Sequence, residues 1–359
     1  MLEETIRREL HTSNAPMTFK RFMQIALYDP KDGFYTKHAI IGTRENSDFS
    51  TDPENYSPCF GASVAEFIGR YAAEFSSDAL QLVEMGGGNG TLAVDILDHL
   101  QEYFPRLYRR VIYSIVEALP RLAQRQREKL QHHPSARVHI GSALDVSFTH
   151  VNGFFLSNEL PDAFPVDIVF SVRSKGLHRL CITEVGRTLD WKYVPVQDHE
   201  TFSYLKSFGY GDDLKQLPGS ASIRNVFTYG VPVNLDMIHW YRSLAGKLHT
   251  GAVLTFDYGF MTTEEHLFAS EQSRESSVRV YNRNSSDRPT DLLKGIGKRD
   301  ITSDVNFAIL KHVGHQSGLT DIFFDEQKEF FLFFGAAMSE DNNFIALVQG
   351  KRLPPFYRG

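Results

Sequence analysis

Apolar residues follow two patterns along this chain. In some segments they form short continuous runs, and in others single apolar residues recur every three or four positions. The continuous runs predict strands at residues 80–84, 111–117, 136–140, 153–157, 252–258, 321–324 and 344–348. The three-to-four spacing predicts helices between the first of these strands, at residues 91–104 and 120–131. Strands that alternate with helices indicate an α/β fold with a doubly wound, largely parallel sheet.

Changes in this pattern divide the chain into four predicted regions. They are a mostly helical N-terminal region at 1–78, the alternating core at 79–164, an inserted lobe at 165–245 and the remainder of the core sheet at 246–359. The inserted lobe contains β-like runs at 168–172 and 180–185, and we expect it to lie on the substrate side. The last region includes a polar insertion at 260–300, part of which we expect to be mobile.

The strand predicted at 80–84 ends in an acid and leads into a glycine turn. The glycines are Gly86, Gly88 and Gly90, and together with Glu84 they form the spacing E-x-G-x-G-x-G. Glycine is favoured where the backbone turns sharply or approaches a ligand, and the turn leaves N–H groups at a helix N-terminus. The dinucleotide fingerprint has a different spacing, G-x-G-x-x-G. The motif therefore favours the S-adenosylmethionine loop of class I methyltransferases, and a glycine turn without a ligand is the simpler alternative.

A second acid ends the next predicted strand. Residues 111–117 form an apolar run that closes on Glu117. In a parallel βαβ unit the carboxyl ends of neighbouring strands lie side by side, at the edge where ligands bind. Glu117 is therefore predicted to accept hydrogen bonds from the ribose hydroxyls of a nucleoside. NAD-binding folds also have an acid at this place. Glu117 is therefore stronger evidence for a nucleoside-containing ligand in general than for a methyl donor in particular.

Three polar side chains that follow the strand at 153–157 are candidates for the chemistry. Asn158 and Glu159 end this strand beside the expected ligand, and Asp162 follows after a Leu-Pro pair. We predict that Asn158 contacts the cofactor and that Glu159 or Asp162 deprotonates or clamps a nucleophile. The alternative is structural, with the acids capping the next helix or pairing with an arginine. The turn Asn-Glu-Leu-Pro also differs from the Asn/Asp-Pro-Pro-Tyr turn of enzymes that methylate nucleic-acid bases.

Composition and charge limit the possible binding partners of the protein and its possible cellular location. The net charge of −6 provides no basic field for nucleic acid, and no apolar run reaches the ~20 residues that span a bilayer. The two cysteines lack the spacing of a metal or redox site, and His312 and His315 have no companion ligands, so no metal is expected. The acids near the N-terminus are unlike a transit or signal peptide, so we expect a cytoplasmic location. A homodimer through the phenylalanine-rich segment 323–334 is an open alternative.

Taken in order along the chain, these motifs resemble the MidA-like methyltransferase family. The resemblance runs nearly end to end and is carried by Tyr28-Asp-Pro30, Thr51-Asp-Pro-Glu54, Glu84-Met-Gly-Gly-Gly-Asn-Gly-Thr91, Asn158-Glu159, Phe256-Asp-Tyr-Gly259, Asp300-Ile-Thr302 and Gln327. It implies a class I methyltransferase fold, with a Rossmann-like doubly wound sheet, an N-terminal helical extension and an inserted substrate-side lobe. It also implies S-adenosylmethionine as the cofactor, and it places Asp48 and Thr51 in a loop over that cofactor.

The family resemblance further implies methylation of protein arginine. The acceptor-side motifs differ from the family pattern around Asp162, and Asp304 stands where the family has a histidine. Two methyl acceptors therefore remain, a protein arginine and a small-molecule oxygen of a hydroxyl or carboxyl group. The predicted function is methyl transfer from S-adenosylmethionine to one of them. The alternatives from other classes are a non-catalytic S-adenosylmethionine-binding scaffold protein and an NAD-type oxidoreductase, which the glycine spacing disfavours.

Overall fold

The computed structural model describes residues 2–37, 41–42, 50–75, 79–145, 147–210, 216–217, 222–265, 277–282, 285–286, 288–335 and 344–354. Its strands are β1 (Met17–Thr18), β2 (Leu80–Met85), β3 (Val111–Glu117), β4 (Ala136–Ile140), β5 (Val151–Asn158), β6 (Asp167–Val172), β7 (Gly176–Val185), β8 (Thr188–Pro195), β9 (Gln216–Leu217), β10 (Val231–Val233), β11 (Leu248–Phe260), β12 (Val278–Asn282), β13 (Ser285–Ser286), β14 (Asp300–Ser303), β15 (Val305–Asn306), β16 (Thr320–Glu326) and β17 (Phe344–Lys351). Its helices are α1 (Leu2–Ser13), α2 (Phe19–Tyr28), α3 (Phe34–Lys37), α4 (Asp52–Asn55), α5 (Cys59–Tyr71), α6 (Thr91–Tyr103), α7 (Pro105–Tyr108), α8 (Pro120–Lys129), α9 (His199–Ser207), α10 (Ile223–Tyr229), α11 (Leu235–Lys247), α12 (Phe307–Gln316) and α13 (Gln327–Phe333). Among these residues, no helix has the length and apolar character that crossing a membrane requires.

The predicted alternation of strands and helices is confirmed, with small shifts at the ends of elements. β3 and β4 have the predicted bounds, and β5 begins at Val151 rather than at 153. Helix α8 ends at Lys129, and a 3₁₀ turn over Leu130–His132 completes the predicted segment. The β-like runs of the inserted lobe are found in β6 and β7.

The chain folds as two compact units, each assembled from three segments. The first unit contains Met1–Ile40, Asp162–Met237 and Phe260–Ala308, and the second contains Ile41–Pro161, Ile238–Gly259 and Ile309–Gly359. The first part of the predicted N-terminal region thus shares a unit with the inserted lobe, and the rest of that region belongs to the unit of the core sheet. Residues 266–276, 283–284 and 287 of the polar insertion lie outside the described residues, and the expected mobility of part of the insertion stays a prediction.

The core sheet of the second unit has the strand order β16-β17-β11-β5-β2-β3-β4. The pairs β11–β5, β5–β2, β2–β3 and β3–β4 are parallel, and β17 is antiparallel to both of its neighbours. The chain passes from β2 to β3 and β4 on one side and returns to β5 on the other side. The switch point of this doubly wound sheet therefore lies between β2 and β5, where such folds bind their ligands.

Helices α5 and α6 and the C-terminal aromatic residues enclose this sheet. Phe60 packs against Phe256 of β11 and against Phe331 of α13, with ring centroids 5.3 and 4.8 Å apart. Phe67 packs edge to face on Phe154 of β5 at 5.8 Å. These rings are fully or almost fully buried, so the strand ends are held on a rigid apolar support.

The first unit is built mainly from antiparallel strands. Its larger sheet has the order β1-β7-β6-β10, with β8 paired to β7 and β9 paired to β6. Phe19, Phe22 and Phe227 pack with Trp191 of β8, with ring centroids 5.5 to 6.2 Å apart. A separate ribbon pairs β12 with β13 and β14, and this ribbon carries the polar residues considered below.

Candidate active site

The glycine turn connects β2 to α6 at the carboxyl edge of the core sheet. Its backbone is closed by a hydrogen bond from Gly90 N to Gly87 O of 2.7 Å. Gly88 has φ of +49°, which disfavours any residue with a side chain. Among the described residues, a Cβ at Gly88 would meet only Ile41 Cδ1 within 4 Å, at 3.7 Å. The turn therefore leaves space beside its own backbone, as a site for a ligand requires.

The segment that begins at Ile41 is attached to this turn at two points. Asn89 Nδ2 donates a hydrogen bond to Ile41 O at 2.7 Å, and Thr91 Oγ1 donates to Glu54 Oε1 at 2.5 Å. Lys129 Nζ donates to Thr91 Oγ1 at 2.7 Å, which brings a cation beside the Glu54 carboxylate. The segment and the glycine turn are thus one connected structure.

Of the two residues that the family resemblance places in this segment, one is described. Thr51 precedes α4, and its side chain makes no capping hydrogen bond to that helix. Its backbone oxygen accepts hydrogen bonds from Glu54 N and Asn55 N, both at 3.0 Å. Asp48 lies outside the described residues.

Glu84, near the end of β2, is buried beneath the turn, where it is 3% exposed. It accepts a hydrogen bond of 3.0 Å from the Tyr113 hydroxyl of the neighbouring strand. Burial raises the pKa of Glu84 to about 7, the Tyr113 hydrogen bond opposes this shift, and the charge of Glu117 adds to it. Glu84 is therefore a buried acid that exchanges a proton near neutral pH.

Replacement of Glu84 by glutamine is expected to stabilise the ligand-free protein at high pH. Folding raises the carboxyl pKa from 4.5 to about 7, so the folded state holds more protons between these values and the free energy of unfolding falls as pH rises through them. Glu84→Gln removes this loss and keeps an oxygen for Tyr113. Denaturant unfolding should show a gain of roughly 2–3 kcal/mol at pH 8 and almost none at pH 4. Glu128→Gln, on the exposed side of α8, is the control, and parallel pH profiles for Glu84→Gln and wild type would contradict the assignment.

Glu117 ends β3, as predicted, and its carboxylate is anchored at both oxygens. Oε1 accepts from Leu119 N at 2.9 Å, and Oε2 accepts from Gln126 Nε2 at 3.0 Å. Burial raises the pKa of Glu117, and these hydrogen bonds act against the shift. Gln126 Nε2 also donates to Gly88 O at 2.9 Å, so this amide ties the acid to the glycine turn. Gln126 was not predicted, because nothing in the spacing of α8 marks a polar residue on its buried face.

The carboxyl end of β5 lies beside the turn, across the switch point. A Cβ at Gly86 would meet Leu160 Cδ1 at 3.0 Å, so the residues after β5 contact the first glycine of the turn. Asn158 Nδ2 donates to Glu159 Oε1 at 2.9 Å, and Asp52 N donates to the same oxygen at 3.0 Å. Glu159 thus caps the first residue of α4, which is a structural contact of the kind weighed against a catalytic role. It also stands next to the ligand edge of the sheet.

Asp162 belongs to the first unit, where it is 4% exposed among buried acids and tyrosines. Burial raises the pKa values of Tyr35 and Tyr281, and the charge of Asp162 adds to both shifts. Burial also raises the pKa of Asp300 to about 7, with the Tyr35 hydrogen bond opposing and Asp162 adding to this shift. Tyr35 donates to Asp300 Oδ1 at 2.8 Å.

Strand β14 and the residue that follows it carry two acids, Asp300 and Asp304, on one face. Asp300 and Thr302 alternate along it and Asp304 follows at the same spacing, so the three share a face. Opposite them on β12, Tyr281 pairs with Asp300 and Arg279 pairs with Thr302. Arg279 Nη2 lies 2.9 Å from Asp304 Oδ1. We call Asp300, Thr302 and Asp304, together with the neighbouring Asp162, the acidic face.

The edge of the core sheet fits S-adenosylmethionine. The glycine turn offers open backbone, Glu117 offers a fixed carboxylate for ribose hydroxyls, and Asn158 Oδ1 is a buried acceptor without a hydrogen-bond donor among the described residues. A ligand that carries an N–H donor would satisfy this oxygen. The fold and the edge together define a class I, nucleoside-binding α/β protein.

Comparison with known proteins identifies the family. Residues 63–324 match the model of a family described as "Putative S-adenosyl-L-methionine-dependent methyltransferase", and the chain belongs to this family. The protein named protein arginine methyltransferase NDUFAF7, mitochondrial, from Xenopus tropicalis is 25% identical over 84% of this chain and 68% of the relative. The human protein of the same name is 41% identical over 24% of this chain and 19% of the relative. The resemblance to the MidA-like family is thereby confirmed, and the protein is an S-adenosylmethionine-dependent methyltransferase.

Solved structures confirm the fold over almost the whole chain. A COG1565 superfamily protein from Burkholderia thailandensis, crystallised with S-adenosyl-homocysteine, has a TM-score of 0.80 and 21% identity, and the match covers 99% of this chain and 93% of that one. A native crystal structure from the same organism has a TM-score of 0.78, with 100% and 94% of the two chains covered. The predicted class I methyltransferase architecture is therefore present.

The expected cytoplasmic location is contradicted by the relatives, whose names place them in mitochondria. The expectation depended on the acids near the N-terminus. These acids belong to α1, an amphipathic helix with Leu2, Ile6 and Leu10 buried. The acids are explained by the amphipathic character of that helix, and they give no information about the cellular compartment of the protein.

Proposed function

We propose that this methyltransferase transfers the methyl group to a guanidinium nitrogen of a protein arginine. The names of the relatives state this acceptor for those proteins. The observation that carries it to this chain is the acidic face of the first unit. A small-molecule oxygen, the other acceptor predicted from the sequence, is uncharged as a hydroxyl or anionic as a carboxylate.

The negative charge of the acidic face and the planar geometry of its carboxylates suit a guanidinium group. Among the described residues, the groups whose charges act on Tyr35, Tyr281 and Asp300 include several carboxylates and a single guanidinium, that of Arg279. A face with this excess of carboxylates favours a cationic ligand over an anionic one. A carboxylate takes the planar guanidinium with two parallel hydrogen bonds.

The proposed donor site lies in the second unit. Its proposed residues are Glu84, Gly86, Gly88, Gly90, Glu117 and Asn158, with Thr51 and Asp48 in the preceding segment. Glu117 accepts the ribose hydroxyls, and the backbone of the turn approaches the ligand because the glycines carry no Cβ.

Methyl transfer from a sulfonium requires alignment more than acid–base help. The C–S bond breaks with its electron pair remaining on sulfur, a C–N bond forms, and the nitrogen then loses a proton. Holding the two reactants as a near-attack pair lowers the barrier by roughly 7–11 kcal/mol. We propose Glu159 or, in its place, Asp162 as the acid that takes this proton.

Replacement of Asp300 by asparagine tests the acceptor. The change keeps an oxygen for Tyr35 and removes one negative charge from the acidic face, so the KM for an arginine peptide should rise about tenfold or more, as expected for losing a hydrogen bond to a charged group. Affinity for S-adenosylmethionine should not change. The measurement is transfer of labelled methyl to arginine peptides, followed by mass spectrometry of the product.

Asp291→Asn is the matched control, because Asp291 lies in the same unit with its side chain 42% exposed and paired to Lys294. It should leave the KM unchanged. Methylation of small-molecule hydroxyl or carboxyl pools, with none on arginine, would replace the proposed acceptor. Donor binding without transfer to any acceptor in a native extract would instead support the scaffold alternative.

A further inference from the structure

A buried hydrogen-bond network joins three segments of the second unit at the end of β5. Gln327 Nε2, at the start of α13, donates to Asp52 Oδ2 at 2.6 Å. Asp52 N and Asn158 Nδ2 both donate to Glu159 Oε1, at 3.0 and 2.9 Å. Gln327 is 1% exposed and Asp52 is 4% exposed, so water does not compete for the hydrogen bond between these two side chains, whereas Asn158 and Glu159 are partly exposed. The network links the segment before α4, the C-terminal helix and the ligand edge of the sheet.

The network determines the orientation of the Asn158 amide. The oxygen and nitrogen of an amide are distinguished by their partners, and a carboxylate only accepts hydrogen bonds. The atom of Asn158 that contacts Glu159 is therefore the nitrogen. The oxygen Oδ1 is consequently directed elsewhere, buried and without a hydrogen bond from any described residue. A buried acceptor of this kind is destabilising unless a ligand supplies a donor.

Gln327 repeats the same arrangement. Its nitrogen is committed to Asp52, and its oxygen Oε1 is buried without a donor among the described residues. Among the described residues, the network therefore has two buried amide oxygens that lack a donor, Asn158 Oδ1 and Gln327 Oε1. The chemistry that complements such a set is a cation with several N–H groups.

In S-adenosylmethionine this description fits the ammonium group of the amino-acid end, which has three N–H donors and a positive charge. The end of β5 also has the required location, because Leu160 contacts the first glycine of the turn. We propose that Asn158 Oδ1 accepts a hydrogen bond from this ammonium group. Asp52 and Gln327 are positioning residues that hold Asn158 through Glu159. The inference rests on the proposed donor site and adds the group of the ligand that this part of the site recognises.

Binding of ligands with and without the amino-acid end tests the assignment. Affinities of the full chain for S-adenosylmethionine, S-adenosylhomocysteine and 5′-methylthioadenosine are measured by calorimetry. Gln327→Leu and Asp52→Ala should each weaken binding of the first two ligands about tenfold, the effect of losing one well-placed charged hydrogen bond. Binding of 5′-methylthioadenosine should stay within about twofold of wild type, because this ligand has no ammonium group.

A conservative variant and a matched control separate positioning from general stability. Both Asp52 variants keep the backbone N–H for Glu159, but only Asp52→Asn keeps an oxygen for Gln327, so Asp52→Asn should retain the affinity that Asp52→Ala loses. Gln349→Leu is the control, because Gln349 is also a fully buried glutamine of this unit, bonded to Lys311 O and Tyr241. It should lower the melting temperature without changing the ratio of affinities for the ligands.

The outcomes distinguish the inference from the donor site on which it rests. An equal loss for all three ligands, or unchanged affinity in folded Gln327→Leu and Asp52→Ala, would overturn the assignment. If both variants fail to fold, Asn158→Ala tests the contact directly and should show the same selective loss. Failure of the wild-type chain to bind any of the three ligands would instead remove the proposed donor site.

Discussion

Replacement of Gly88 by valine is expected to reduce the affinity for S-adenosylmethionine at least about a hundredfold, roughly 3 kcal/mol or more of binding free energy. Of the described residues, the space beside Gly88 holds only Ile41 Cδ1 within 4 Å of a Cβ position, so a branched side chain would occupy the volume open to the ligand. It would also force valine into a φ of +49°, at a cost of about 1–3 kcal/mol. The fold should survive, because that cost lies within the stability of an ordinary domain.

Gly318→Val provides the matched control for this prediction. Gly318 lies in the same unit with φ of +82°, and a Cβ there would meet nothing within 4 Å. This variant imposes similar backbone strain on a site that no ligand is proposed to reach. Calorimetry and thermal melting on both variants separate the two effects. Equal affinity in folded Gly88→Val and Gly318→Val would show that the turn does not contact the donor.

The centre of the core sheet was predictable because its strands β2, β3 and β5 are buried on both sides. β2, β3 and β5 read as continuous apolar runs, and each closes on or just before a polar residue where the strand leaves the core. Their order in the sheet follows from the handedness and adjacency of βαβ units, which places Glu117 and Asn158 at one edge. Local spacing and a general topological rule were therefore sufficient for this half of the site.

The other contacts depend on long-range pairing, which periodicity does not encode. Gln327 lies far along the chain from Asp52, and its contact is formed only when α13 packs against the core. The same is true of Tyr35 and Asp300, which come from opposite ends of the first unit's sequence. The family resemblance marked several of these positions, but it did not indicate which side chains touch. Only the folded arrangement reveals that Asp300 and Asp304 lie opposite Tyr281 and beside Arg279 of β12.

The structure changes the expected role of Glu159 more than that of any other predicted site residue. The sequence allowed either a catalytic acid or a structural cap, and the structure shows a carboxylate that caps α4 while it stands at the ligand edge. Its backbone φ of +47° is unusual for a residue with a side chain, and such conformations are retained where the surroundings demand them. The two roles are therefore compatible, and a variant that removes one while keeping the other can separate them.

Glu159→Gln is that variant, and it is expected to reduce turnover by roughly 10²–10⁴, the range for loss of a general base. The glutamine oxygen can still accept from Asp52 N and Asn158 Nδ2, so the cap and the shape remain while the charge and the base are lost. Donor affinity should therefore change little. Turnover is measured with labelled donor and a saturating acceptor, alongside calorimetry and thermal melting.

Two further variants determine how the result is interpreted. Glu159→Ala removes both the cap and the charge, and should lower the melting temperature as well as turnover, since loss of a helix cap costs about 1 kcal/mol. Glu326→Gln, at an exposed position of the same unit, should leave both unchanged. If Glu159→Gln is stable and fully active, Glu159 is only a cap, and the proton must leave the acceptor by another route. Asp162 would then be the acid to replace next, because it is buried beside the face that is proposed to hold the cation.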